Sequence, residues 1–409
     1  RLTDVTGVQT CALPISKEQQ VPLLLDQARV LVQLQKEREA ARVYQQVIQF
    51  APEHPEAHAA LAVLWAKDPE KLNEAIEEYL YLIDKDPFSS HSYHRLFSIH
   101  WKENDYDRAY LCAQALDALE QTTDEERNFL AQISPRVHSG WLDHSALDNL
   151  IPEGARGTLY EIMGSIDPFM DKVYGTDLES GHTLAKKDKL DMEAQGELQN
   201  VVHEITRLLS IPSIGVFLES GDGIVVENAQ PPNLIVGREL VSRVNVRQLY
   251  FLLGHCLFYV SRNQVMAFKL TTSRYQDYIS RLVEAFAETG KQASPDDEAT
   301  SKKMRNALAR RIRKQLEERM DILTEIYHTD VSSFLKGLER AANRFGILVS
   351  DSLRDACHAY AILKKQDAIS VKKFHENDEI REFFWFNISD QHYKLRKELG
   401  LAVKWMNKL

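Results

Sequence analysis

The spacing in this chain that could do chemistry is centred on His255. Two histidines one helical turn apart can bind zinc, and a glutamate beside the first can take a proton from a metal-bound water. In Phe251-Leu252-Leu253-Gly254-His255 only the second imidazole is present. Phe251 stands at the position of the first histidine and Leu252 at that of the glutamate. A catalytic zinc needs three protein ligands and an open water position, so His255 alone does not make one. Leu252 leaves the motif without a general base. Cys256 follows His255 directly and therefore projects from another side of the helix. The plain alternative for His255 is a buried, hydrogen-bonded core histidine. A second His-Glu pair, His203-Glu204, has Arg207 where a partner histidine would stand, and reads as structural or solvated.

These residues need a helix to hold them. Leu249, Leu252, Leu253, Cys256, Leu257 and Val260 repeat at helical spacing, with Tyr250, Phe251, Phe258 and Tyr259 on the other side. A helix apolar nearly all round is expected at the centre of a core. Upstream, residues 192–210 predict a helix with Leu198, Val201, Val202, Ile205 and Leu208 on one side. Short strands are predicted at 214–218, 224–226 and 234–237, divided by the turn Gly221-Asp222-Gly223 and by Pro231-Pro232-Asn233. Before them, Ser134-Pro135, Ile151-Pro152-Glu153-Gly154 and Tyr174-Gly175-Thr176-Asp177 mark loops, with room for one helix over 157–173.

At 409 residues, with 44% hydrophobic and 27% charged residues, the chain has the composition of a soluble protein of two or three domains. A net charge of -10 argues against general affinity for nucleic acid. No apolar run approaches the roughly 20 residues of a membrane span. The segment from Val5 to Ser16 resembles a translated sequencing-library adapter, so residues 1–16 are set apart from the fold. Cys112, Cys256 and Cys357 then remain, too widely spaced for a disulfide framework or zinc knuckle, and a reducing, cytoplasmic setting is expected. The basic run over 302–314 carries Met304, Leu308, Ile312 and Leu316 at four-residue intervals. It reads as an amphipathic helix with a solvated basic face rather than a nucleic-acid helix. Ser389-Asp390 is expected to cap the last helix. No phosphate-binding glycine loop or dinucleotide fingerprint occurs.

Residues 20–120 are periodic. Ala40, Ala75 and Ala109 lie 35 and 34 residues apart, Tyr44 and Tyr79 follow the first two by four, and Pro52 and Pro87 close those helices. Small residues suit close helix crossings, and proline ends the second helix of a pair. The pattern resembles the tetratricopeptide repeat, about three copies, the third weaker because Phe97 replaces a small residue and Ala113 an aromatic. That resemblance implies a groove for a peptide or protein, with Arg29, Lys67, His94, Trp101 and Lys102 near groove-facing positions. The alternative is that these five are ordinary solvated or packing residues.

The order helix, strands, Gly254-His255 helix, with Pro232-Asn233-Leu234-Ile235-Val236-Gly237 upstream, resembles the CAAX-prenyl-protease-like zinc metallopeptidases. In that family a downstream Glu-x-x-x-Asp supplies the third zinc ligand. The resemblance makes Glu339 the matching ligand, with Asn343 replacing the aspartate. Two ligands are then retained, His255 and Glu339, while Phe251 and Leu252 mark the lost ligand and base. Without a metal, Glu339 would be an ion-pair partner or a cap. Phe386-Asn387-Ile388-Ser389-Asp390 and the residues through Leu401 resemble the end of a bacterial group prominent in myxobacteria. Its members join tetratricopeptide repeats to a degenerate metallopeptidase-like domain.

The expected fold is therefore mainly α. Repeats forming an α-solenoid occupy 17–135, a loop-rich connector 136–191, and an α+β metallopeptidase-like domain with a small sheet 192–409. The expected function is a non-catalytic scaffold without a cofactor, taking a protein or peptide partner and no nucleic acid. The alternative is a metal-dependent peptidase or hydrolase with a rearranged zinc site at His255 and Glu339.

Overall fold

The computed structural model describes residues 17–133, 138–170, 173, 188–286, 295–366 and 371–403, so the adapter-like segment and the 174–177 turn lie outside the described residues. Contacts divide the chain into two units, residues 1–116 and 117–409.

The first unit is built from helices that pack on their neighbours in sequence. They are α1 (Lys17–Gln33), α2 (Glu37–Phe50), α3 (Pro55–Trp65), α4 (Leu72–Lys85), α5 (Ser90–Lys102) and α6 (Tyr106–Ala118), the last crossing the unit boundary. Helix α1 packs on α2, α2 on α3, α3 on α4 and α4 on α5. The periodic residues explain why. Ala40, Ala75 and Ala109 are fully buried, as are Tyr44 and Tyr79 to within a few per cent. Helix α2 stops just before Pro52 and α4 just before Pro87, where the missing amide hydrogen cannot continue the ladder. His58 ties one turn together: its ring nitrogens meet Glu78 at 2.5 Å and the Pro52 carbonyl at 2.8 Å.

The second unit continues with α7 (Asp124–Gln132), α8 (His144–Asp148), α9 (Thr158–Ile166) and α10 (Glu197–Leu208). Strands β1 (Gly215–Glu219), β2 (Ile224–Glu227) and β3 (Asn233–Gly237) follow, then α11 (Arg238–Arg243), α12 (Val246–Ser261), α13 (Val265–Lys269) and α14 (Thr272–Phe286). The remainder is α15 (Pro295–Ala307), α16 (Arg310–Glu318), α17 (Met320–Tyr327), α18 (Val331–Ser350), α19 (Leu353–Leu363), α20 (Asp378–Ile388) and α21 (Asp390–Glu398). The sheet has the order β1-β3-β2, parallel between β1 and β3 and antiparallel between β2 and β3. Leu234, Ile235 and Val236 are all buried, as the middle strand requires.

Helix α12 is the axis of this unit. Asn245 caps it, accepting from the Gln248 amide at 2.9 Å while the Gln248 side chain returns to the Asn245 amide at 3.2 Å. Every residue from Leu249 to Val260 except Tyr250 is buried. It packs along α18 and also meets α10, α19, α13 and β2. Gly254 and Gly346 permit the approach to α18. A Cβ at 254 would lie 2.8 Å from Val349 Cγ2, and one at 346 would lie 2.9 Å from Phe251 Cδ2.

Three sequence expectations shift. Residues read as a connector pack into the second unit, because Leu142, Leu147, Leu150, Ile151, Leu159, Met163 and Ile166 supply a buried face. The helix expected over 157–173 is α9, which ends at Ile166 and passes into a short 3-10 turn, Asp167–Phe169, containing Pro168. The basic segment is two helices, because Ala309 is extended between α15 and α16. Met304, Leu308 and Leu316 are nonetheless buried, as their spacing implies.

Candidate functional site

One face of α12 lines a cavity of about 990 Å³ in the second unit. Gln248, Leu252, His255 and Tyr259 form that face, at intervals of three or four residues. Leu335 and Glu339 of α18, His358 and Ile362 of α19, the turn Lys364-Lys365-Gln366, and Ile224 and Val225 of β2 also line it. His255 and Glu339, 84 positions apart, thus share one wall. The α12–α18 crossing brings them together, and the charge of Glu339 acts on the His255 ring.

His255 is only 3% exposed. Its Nδ1 lies 2.9 Å from Asn343 Oδ1, which can only accept, so Nδ1 carries a hydrogen and Nε2 holds the lone pair. Burial pulls its pKa down to about 4, partly opposed by Glu339, so the ring is neutral at pH 7. Phe251 is not part of the cavity wall. Its ring is wholly buried, 5.7 Å from the Phe383 ring and against Gly346. Leu252 does face the cavity, where a base would have to stand.

Glu339 is already engaged. Lys364 Nζ sits 2.5 Å from its Oε1, and the Tyr360 hydroxyl donates to the same oxygen at 3.3 Å. Glu379 is nearby, its pKa raised by burial and by the charge of Glu339. The donor set does not suit a catalytic zinc. It offers one imidazole and one carboxylate that already faces an ammonium, and among the described residues no third His, Cys, Asp or Glu joins them. Cys256, buried behind the wall, has its thiol pKa pushed up by burial.

Comparison with protein-family models, curated proteins and solved structures returns nothing. The site therefore has to be read from its own residues.

The five groove candidates of the first unit take several roles. Arg29 donates to both Glu56 oxygens at 2.7 and 2.6 Å and to Asp26 at 3.0 Å. Lys67 donates to Glu37 at 2.5 Å. Trp101 stacks on Phe97 at 5.9 Å and meets the edge of Tyr106 at 5.4 Å. His94 is half-buried and Lys102 is exposed.

Three arrangements were not visible in the sequence. Lys364 stands 25 positions after Glu339, and only the reversal at Asp351-Ser352, with Asp351 in the left-handed region at φ 50°, returns α19 to Glu339. Glu204 is structural: Oε1 accepts from the His138 amide at 3.0 Å and from His138 Nδ1 at 2.7 Å, and Oε2 accepts from the Tyr250 hydroxyl. Burial raises its pKa, but these hydrogen bonds outweigh burial and hold it below the usual value. Asp167, 1% exposed, accepts from the amides of Val265 at 2.6 Å and Met266 at 3.2 Å, at the start of α13. Burial outweighs those bonds and raises its pKa to about 7. The only sequence signal for Asp167 was the Asp-Pro pair that ends α9.

Proposed function

We propose that this chain is a non-catalytic interaction protein, with the helix pairs of the first unit taking one partner segment and the cavity of the second unit binding an extended peptide without cleaving it. The observation that carries the second half is the state of the cavity wall. Leu252 faces the cavity at the base position, and the Glu339 carboxylate is held by Lys364. Water attack on a peptide bond needs an activated water and a proton acceptor; Leu252 stands where the motif would place that acceptor, and the Glu339 carboxylate faces the Lys364 ammonium.

Edge geometry supports the peptide reading. Among the described residues β2 pairs only with β3, while the outer side of β1 is met by the Leu190 amide and the Lys189 bridge. Strand β2 therefore presents unpaired main-chain groups beside the cavity, and Ile224 and Val225 line that cavity. Such an edge can accept an additional extended strand. For the first unit, support comes from the 34–35-residue period and the sequential packing of its helices.

The second reading, a metal-dependent hydrolase, draws on one feature: His255 and Glu339 do share a wall. Metal analysis of the purified full chain, run beside a quenched-peptide cleavage assay, separates the two. We expect substoichiometric zinc and no cleavage. One zinc per chain that disappears in His255→Ala, together with cleavage that disappears in the same variant, would overturn the non-catalytic reading.

A further inference from the structure

Two acceptors on the cavity wall bear on what that part of it can hold. His255 Nδ1–H is committed to Asn343, so Nε2 can only accept. Among the described residues Nε2 has no hydrogen-bond partner, and His255 lines the cavity while being 97% buried. Glu339 uses Oε1 for both Lys364 and Tyr360, and Oε2 accepts no hydrogen bond among the described residues. Two acceptors on adjacent helices thus belong to residues that line one cavity, and neither meets a donor among the described residues. The Tyr259 hydroxyl, also on this wall, can donate or accept and so does not select. Whatever displaces cavity water from these acceptors must replace its hydrogens, so an occupant that supplies N–H groups gains what one that supplies only lone pairs forfeits.

We propose that this part of the cavity recognises a nitrogen group with at least two N–H hydrogens, a protonated amine or a primary amide on the bound partner, through His255 Nε2 and Glu339 Oε2. A carboxylate is disfavoured there, since it would set lone pairs against lone pairs. Lys364, with a side chain 38% exposed, already offsets the charge of Glu339. An incoming amine therefore gains chiefly from hydrogen bonds, and gains more if Lys364 is removed. This inference rests on the cavity being a binding site.

The test uses the full chain with 15N-labelled histidine and three probes of similar size: propylammonium, propionamide and propionate. Imidazole nitrogen shifts are followed by NMR. We expect propylammonium and propionamide to move the His255 Nε2 resonance saturably, and propionate to leave it in place. Glu339→Gln should weaken propylammonium about tenfold and propionamide less, because only the former loses a charge-assisted bond. Lys364→Met should tighten propylammonium. If Glu339→Gln does not fold, the ranking of the probes on the unaltered chain still decides. Propionate moving Nε2 as strongly as the amine, or none of the three moving it, overturns the proposal. The probes need neither strand addition nor a metal. Peptide cleavage with zinc would sink the preceding reading, whereas a flat probe response would sink only this one.

Discussion

The two units differ in where their guanidinium and ammonium groups find carboxylates. In the first, Arg and Lys pairs between segments sit in solvent: Arg29–Glu56 at 50% and 40% side-chain exposure, Lys67–Glu37 at 57% and 42%, Lys85–Glu53 at 47% and 79%, while the buried pair there, at 8% and 16%, is the imidazole of His58 with Glu78. In the second, Arg396 and Asp351 pair at 1% and 8%, and Arg344 and Glu382 at 13% and 16%. Exposed pairs are screened and add little, so the first unit rests on the apolar spacing of neighbouring helices. Buried charges are costly unless every one is met, so the second unit depends on partners delivered from distant parts of the chain. Its cavity wall follows the same rule, with Glu339 met by Lys364 and Tyr360.

This contrast can be broken at several places. The largest effect is expected from Arg396→Ala, which takes from buried Asp351 its most buried partner, leaving Arg247 at 4.0 Å, and also removes a donor from the Leu401 carbonyl at 3.1 Å. Breaking one side of a buried pair costs about 3–5 kcal/mol, readable as a fall in the urea midpoint of the second unit. A midpoint unchanged by Arg396→Ala would erase the distinction between the units.

Next is Gly254→Val at the α12–α18 crossing. Its Cβ would begin 2.8 Å from Val349 Cγ2, and overpacking of this kind costs about 1–3 kcal/mol. Thermal melts of Gly254→Val and of the double variant with Val349→Ala test this. The second change should restore part of the loss by making room.

A pH effect of intermediate size follows from buried groups. Burial lowers the pKa of His100 in the first unit to about 4, and in the second unit lowers His255 to about 4 and His392 to about 3. Unfolded histidines bind protons below about 6.5, so each of these loses stability as pH falls from there toward its folded value. Asp167 has the opposite slope. Raised to about 7 by burial, it contributes fully below its unfolded value of 3.8 and loses that contribution as pH rises to about 7. Asp167→Asn should therefore make the acid loss of the second unit steeper between pH 6.5 and 4 and leave the first unit unaffected. Parallel urea-midpoint curves for the two proteins would mean that Asp167 ionises normally in the fold.

The smallest effect is expected at the surface. Arg29→Ala removes three hydrogen bonds but should leave the melting temperature of the first unit unchanged, since the pair is solvated. A clear drop would mean that the exposed pairs hold the helices together after all.

The legible parts of the fold share one property: their determinants lie close together along the chain. The Ala40-Tyr44-Pro52 spacing and its copy at 75, 79 and 87 anticipated burial and helix ends to within a residue or two. The three strands fell where β-rich runs meet glycine and proline, and Ser389 does cap α21, accepting from the His392 amide at 3.2 Å. At the site, His255 and Glu339 could be singled out by spacing and resemblance, but their surroundings could not. Gly254 was read as part of a motif, whereas its place in the fold is a helix crossing where a Cβ would press on Val349.

By itself, then, the sequence determined the helical periods, the strand positions and the buried character of α12, because each follows from residue type at short spacing. Only the tertiary structure decided what those residues face. The α12–α18 crossing put His255 and Glu339 on one wall, and Asn343 fixed the tautomer of His255. The turn at Asp351 brought Lys364 back to neutralise the carboxylate. A charge buried in a core is governed by whichever groups lie within a few ångströms of it, and in this unit those groups come from segments far apart in the chain.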